Sequence, residues 1–87
     1  MKEAPRTIDG AVVMEWAWSE QPFGVLGTIP IHGLAICQYP ANAQLYRFSC
    51  NEHWETEQDA DYDSVEDAKV QLPDQYRNAP IYWRKSV

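Results

Sequence analysis

The chain has 87 residues, a formal net charge of −6, 45% hydrophobic residues and 13% aromatic residues. This length suits one domain with a small core, and the aromatic content argues against intrinsic disorder. Thirteen acids against seven bases exclude the basic surface that direct binding to nucleic acid or to an anionic membrane requires.

The N-terminal residues 1–9 are predicted to be a loose, polar lead-in, and residues 10–87 to form a single domain. The lead-in has no continuous apolar segment of the kind found in a secretory signal. Cys37 and Cys50 are the only cysteines. Two thiols without a signal favour buried, reduced side chains in a cytoplasmic protein.

The first predicted strand spans residues 11–19, where bulky side chains alternate with smaller ones. A period of two predicts a buried face that carries Val12, Met14, Trp16 and Trp18. Residues 20–28 contain Pro and two Gly and are predicted to form a loop. The apolar Phe23 of this loop either packs on the core or belongs to a mobile contact surface, and the sequence leaves both alternatives open.

A predicted hairpin follows, with strands at 29–39 and 44–51 joined by the turn 40–43. The short connection favours antiparallel pairing. The expected register places Gly33 opposite Cys50 and Cys37 opposite Tyr46. In this register the two cysteines do not face each other, which argues against a disulfide.

Residues 54–67 contain seven carboxylates and no Lys or Arg. In an extended strand, the side chains of five acids share one face, roughly 7 Å apart. Because such a row repels itself and Asp is a poor strand former, we expect a strand only from about residue 53 to residue 57, with fraying after Gln58. The five acids are Glu55, Glu57, Asp59, Asp61 and Asp63.

Ser64 is predicted to cap a helix, because Ser64 and Asp67 have the spacing of a capping box. Residues 79–85 are predicted to form a last strand, with Ile81 and Trp83 on one face. The expected fold is of the α+β class. It is a small antiparallel sheet of about five strands, in the order β-β-β-β-α-β, with one helix packed on it.

No catalytic signature is present, and we expect neither enzymatic activity nor a cofactor. The soft metal ligands are few, and their spacing matches no zinc motif. A metal-binding protein that uses His32, Cys50 and His53 is therefore a weak alternative, and buried thiols with ordinary histidines are the favoured interpretation.

The charge pattern favours a small acidic protein-binding protein with a basic protein partner. Its most specific form is an immunity or inhibitor protein that occludes a nucleic-acid-binding or toxic partner. The alternatives are a solvated acidic face, or a structural domain that self-associates through a sheet edge, so that the chain is a monomer or a homodimer. The predicted partner-binding residues are Trp54, Glu55, Glu57, Asp59, Asp61, Tyr62 and Asp63.

Overall fold

The computed structural model describes residues 2–86 and shows a six-stranded antiparallel sheet that curls into a half-barrel. A two-stranded hairpin and one short helix accompany this main sheet within the described residues. The elements are β1 (Thr7–Ile8), β2 (Ala11–Trp18), β3 (Gly24–Leu26), β4 (Ile29–Ile31), β5 (Gly33–Gln38), β6 (Leu45–Cys50), β7 (Thr56–Tyr62), α1 (Val65–Val70) and β8 (Arg84–Lys85).

The fold is broadly α+β, as predicted, but the strand count and order differ from the expectation. The main sheet has the order β1-β2-β5-β6-β7, and β8 pairs with β2 on the same side as β1. The hairpin β3–β4 lies outside this sheet. The predicted strand at 29–39 is therefore two strands, which separate at His32. The predicted last strand at 79–85 is reduced to Arg84–Lys85.

The N-terminal residues predicted as a lead-in contribute strand β1. Asp9 and Gly10 have φ angles of 52° and 84°, and Ile8 pairs with Ala11. Asp-Gly between two paired strands is the usual sequence of a two-residue hairpin turn, because this turn needs positive φ at both positions. The Asp-Gly dipeptide is the signal that indicates this strand.

The two faces of the main sheet carry separate cores. The face that we call the tryptophan face packs a cluster that contains Trp16, Phe48 and Trp54, and residues next to it include Trp18, Tyr39 and Tyr46. The opposite face, called here the helix face, packs Ala17 and Leu34 against the β3–β4 hairpin and the C-terminal segment. That second cluster consists of Ala17, Phe23, Ile31, Leu34, Tyr76 and Ala79.

Phe23 is fully buried, which decides between the two alternatives for the predicted loop in favour of packing on the core. The hairpin around Phe23 approaches the C-terminal segment very closely. A Cβ atom at Gly24 would lie 2.1 Å from the carbonyl oxygen of Gln75. Because this neighbour is backbone and cannot rotate away, only glycine fits at this position.

The predicted face assignment of β2 is wrong for its first half. The pairing with β5 shifts between Val13 and Glu15, so Met14 is an extra residue in a β-bulge. Before the bulge, Ala11 and Val13 are buried; after it, Trp16 is buried on the same face. Val12 and Met14, predicted to be buried, are 45% and 37% exposed.

The hairpin register is confirmed, and with it the separation of the two cysteines. Gly33 pairs with Cys50 and Cys37 pairs with Tyr46, and both thiols are free and buried. Burial raises the pKa of each thiol from 9.0 to about 12. Both cysteines are therefore neutral packing residues at physiological pH.

The raised thiol pKa values predict a loss of stability at alkaline pH. The unfolded chain loses its thiol protons near pH 9, whereas the folded chain keeps them to about pH 12. The stabilisation is therefore complete below pH 9 and is lost as pH rises from 9 to 12. Between pH 8 and pH 10 we expect the free energy of unfolding to fall by about 1 kcal/mol per thiol, measured by urea denaturation.

The control is the double variant Cys37→Ala with Cys50→Ala, measured over the same pH range. Its free energy of unfolding should fall less between pH 8 and pH 10 than that of the parent. Identical pH profiles would show that the thiols do not cause the loss.

Candidate functional site

Strand β7 forms one edge of the main sheet, and five of its seven residues are exposed. It pairs with β6 and is the last strand in the sheet order. The five consecutive residues from Glu57 to Asp61 are all exposed, so neither side of the strand is covered along this length. β7 also continues to Tyr62, beyond the predicted fraying point at Gln58, because β6 pairs with it along its whole length.

The predicted row of five carboxylates is interrupted near Glu57. The pairing between β6 and β7 shifts between Ser49 and Cys50, which makes Glu57 the extra residue of a bulge. Since a bulge changes which residues share a face, the row does not lie on one face as predicted. Thr56 is opposite Cys50 on the tryptophan face, whereas Gln58 is opposite Ser49 on the helix face.

Two carboxylates at this bulge are fixed by Asn51. The Asn51 side-chain amide donates hydrogen bonds of 3.0 Å to Glu55 and 2.9 Å to Glu57. Its Oδ1 accepts from the backbone N–H groups of His53 and Glu55, at 2.8 and 3.1 Å. Asn51 therefore orders the turn before β7 and brings two negative charges to one point.

Two further carboxylates lie on the tryptophan face beside aromatic rings. Asp59 is directly opposite Phe48, and Asp61 is directly opposite Tyr46. Side chains of directly opposite residues are neighbours in an antiparallel pair. The strand thus presents Asp59 and Asp61 next to an aromatic surface.

Tyr39 belongs to the same surface, although the sequence prediction did not include it. Its ring packs edge-to-face on Tyr46, with ring centroids 5.4 Å apart and an interplanar angle of 84°. Desolvation, followed by the charge of Asp59, raises the pKa of the Tyr39 hydroxyl. The signal in the sequence is its phase, because Tyr39 follows Cys37 by two residues and so shares its face.

The two predicted aromatic anchors occupy other positions. Trp54 is 6% exposed, and its ring lies against Gly33 in the core. Tyr62 lies on the helix face, where its ring centroid is 4.8 Å from the guanidinium carbon of Arg47. Neither ring borders Asp59 and Asp61. Asp63 follows the strand and is exposed.

The five carboxylates have no ion-pair partner among residues 2–86. The ion pairs of this range join His53 to Glu52, Lys69 to Glu15 and Arg77 to Asp74. Arg47 is the base nearest to β7 in the sheet, but it lies on the helix face opposite Ala60. It donates to the carbonyl oxygens of Ala68 and Gln71, at 2.8 and 2.7 Å. Within the described residues, no ion pair therefore offsets the repulsion among the acids of β7.

The residues of the alternative metal site, His32, Cys50 and His53, are not brought together as metal ligands. His32 and Cys50 are adjacent, but the link is a backbone hydrogen bond of 3.0 Å from His32 N–H to the Cys50 carbonyl. The His32 ring donates through Nδ1 to the carbonyl of Ser19 at 2.9 Å, and His53 lies 3.7 Å from Glu52. Across residues 2–86, no three His, Cys, Asp or Glu side chains are grouped to bind a metal ion.

A scan against protein-family models, a search of curated proteins and a search of solved structures each found no match. In the range 2–86, no helix combines the length and apolar character needed to cross a membrane.

Proposed function

We propose that this chain is a small acidic protein-binding protein whose surface at β7 binds a basic protein. The observation that supports the proposal is the edge strand itself. Its carboxylates are exposed, and none has an ion-pair partner in the described range. A basic partner relieves their mutual repulsion, and long-range attraction accelerates its association.

The charge of β7 argues against self-association through this edge. A second copy that pairs edge to edge would place Glu57, Asp59 and Asp61 against the same acids of its partner. Like charges directly opposite each other destabilise a strand pair. The other edge of the sheet is made by β1 and β8, which have two residues each and offer little backbone for pairing.

The most specific form of the proposal is an immunity or inhibitor protein. A protein that binds nucleic acid, or a toxic enzyme that acts on it, carries a basic surface for phosphates. Carboxylates at intervals along a strand can occupy such a surface and occlude it. The net charge of −6 and the concentration of acids at 52–67 support this form.

The first test is recovery of a partner with a matched pair of variants. The β7 variant carries Glu57→Gln, Asp59→Asn and Asp61→Asn. We expect the parent, used as bait in an extract of its native cells, to recover a basic protein that the β7 variant does not recover. Three exposed charges together contribute roughly tenfold or more to the affinity.

The control variant removes three exposed acids elsewhere, by Glu3→Gln, Glu20→Gln and Asp74→Asn, and has the same net charge as the β7 variant. It should recover the basic protein as well as the parent does. Equal losses in both variants would mean that net charge, and not the β7 surface, causes the recovery. Equal recovery by all three proteins would indicate that the β7 acids form only a solvated face and do not bind the partner.

A further inference from the structure

The free edge of β7 is a row of backbone groups as well as a row of charges. β7 has seven residues, pairs with β6 on one side and is terminal in the sheet order. Every second residue of an edge strand directs its N–H and C=O groups away from the sheet. These groups are competent to pair with one further strand.

The residue composition of β7 is unusual for a β-strand. The sequence TEQDADY contains one β-branched residue and one aromatic residue, and Asp is depleted in strands. Its five central residues are exposed on both faces. The strand is thus kept in place by its pairing with β6, and another paired strand would add burial and hydrogen bonds that β7 lacks.

We propose that the partner's contact segment is an extended basic chain that adds to the free edge of β7 as the next strand of the sheet. This inference rests on the proposed function and specifies its binding mode. A fully paired segment of seven residues spans about 23 Å. Main-chain hydrogen bonds supply affinity in this mode, and alternate side chains supply specificity.

The two faces of β7 define the side-chain pattern of the added strand. On the tryptophan face, Asp59 and Asp61 stand two residues apart and favour Lys or Arg at positions i and i+2 of the partner. Tyr46 is directly opposite Asp61 in the sheet. Its ring can pack against the alkyl part of such a Lys or Arg side chain and make a cation–π contact with its charged group. On the helix face, Gln58 and Ala60 favour small or polar residues.

Charge complementarity selects this occupant over a second copy of the chain. Glu57, Asp59 and Asp61 lie on the edge that an added strand would meet, so an acidic strand is repelled and a basic one is attracted. A charged edge that prevents pairing between identical edges is a common protection against aggregation. Here the same charges select for a partner of opposite sign.

The test uses three synthetic seven-residue peptides in which Lys alternates with Thr, all with blocked ends. The first is unmodified, the second is N-methylated on the Lys amides, and the third on the Thr amides. All three have the same charge. Because alternate amides of a strand point to opposite edges, only one methylated set blocks pairing with β7.

We expect the unmodified peptide to shift the amide NMR signals of β7 and to slow hydrogen exchange at alternate β7 amides. One methylated peptide should bind at least tenfold more weakly than the unmodified peptide, and the other should bind nearly as well. The double variant Asp59→Asn with Asp61→Asn should weaken binding of the unmodified peptide.

Equal binding of both methylated peptides would overturn strand addition and leave an electrostatic surface, so the proposed function would stand. Failure of all three peptides to bind would also overturn strand addition. The proposed function would fail by a different result, namely recovery of the same proteins by the parent and the β7 variant.

Discussion

Trp54→Ala is expected to lower the free energy of unfolding by roughly 3–5 kcal/mol, the range for removal of a large buried ring. Trp54 is 6% exposed and packs edge-to-face on Trp16, with ring centroids 6.1 Å apart. Its Nε1 donates to the carbonyl oxygen of Lys2 at 3.2 Å, which attaches the N-terminal segment to the core. A small domain has about 5–15 kcal/mol of stability, so the loss is a large fraction of the total.

The backbone conformation of Trp54 allows a second stability measurement at this position. Its φ angle is 60°, a region that costs an ordinary L-residue roughly 1–2 kcal/mol relative to right-handed backbone. Because glycine adopts this region freely, Trp54→Gly should be less destabilising than Trp54→Ala. At most sites a change to Gly is more destabilising than a change to Ala, so the expected order is reversed here. The difference between the two variants therefore measures the backbone strain separately from the loss of the ring.

The control for Trp54 is Tyr82→Ala, which removes an aromatic ring that is 72% exposed. The free energy of unfolding of this variant should stay within about 0.5 kcal/mol of the parent. Urea denaturation measures all three variants. A loss below 1 kcal/mol for Trp54→Ala would contradict the placement of this ring in the core.

Arg47→Ala is expected to cost about 3 kcal/mol, because Arg47 connects the main sheet to the end of α1. Arg47 is 5% exposed, and one guanidinium nitrogen donates to the carbonyl oxygens of Ala68 and Gln71. These carbonyls belong to the last turn of the helix and its C-cap, which lack intrahelical partners. Burial lowers the pKa of the guanidinium, and the neighbouring Tyr62 and Tyr76 offset part of this shift.

Arg47→Lys should recover part of the stability, since an ammonium group restores the charge but not the planar donor geometry. The control is Arg77→Ala, whose ion pair with Asp74 is exposed and is expected to contribute less than about 0.5 kcal/mol. Equal free energies of unfolding for Arg47→Ala and Arg77→Ala would show that Arg47 does not secure the helix.

The central hairpin was the most predictable part of the fold. A four-residue turn between two apolar, alternating segments leaves few registers, and the pairs Gly33–Cys50 and Cys37–Tyr46 are both observed. The helix start was also predictable, because Ser64 accepts the hydrogen bond from Asp67 N–H that its spacing indicates. In both cases a local signal determined the geometry.

The two bulges could not be predicted from alternation. An extra residue at Met14 or Glu57 changes the face of the residues that follow, while the sequence continues to alternate. The bulge at Glu57 is the reason why the predicted row of carboxylates was wrong. Tyr39 and Asp59 come together on the tryptophan face only in the observed register.

Long-range packing limited the remaining predictions. The predicted strand at 29–39 divides at His32 because β4 pairs with β3, while β5 pairs with β2. Trp54 has an amphipathic ring next to an acidic stretch, which resembles an exposed anchor in sequence. Its burial depends on Gly33, twenty-one residues away, whose missing side chain leaves the space that the ring fills.

The most direct test of the β7 surface is the affinity of the recovered basic protein for the parent, the β7 variant and the control variant at low and at high salt. The proposal predicts tight binding to the parent and the control at low salt, a steep loss of both affinities at high salt, and weak, less salt-dependent binding to the β7 variant. The same affinity and the same salt dependence for all three proteins would contradict it.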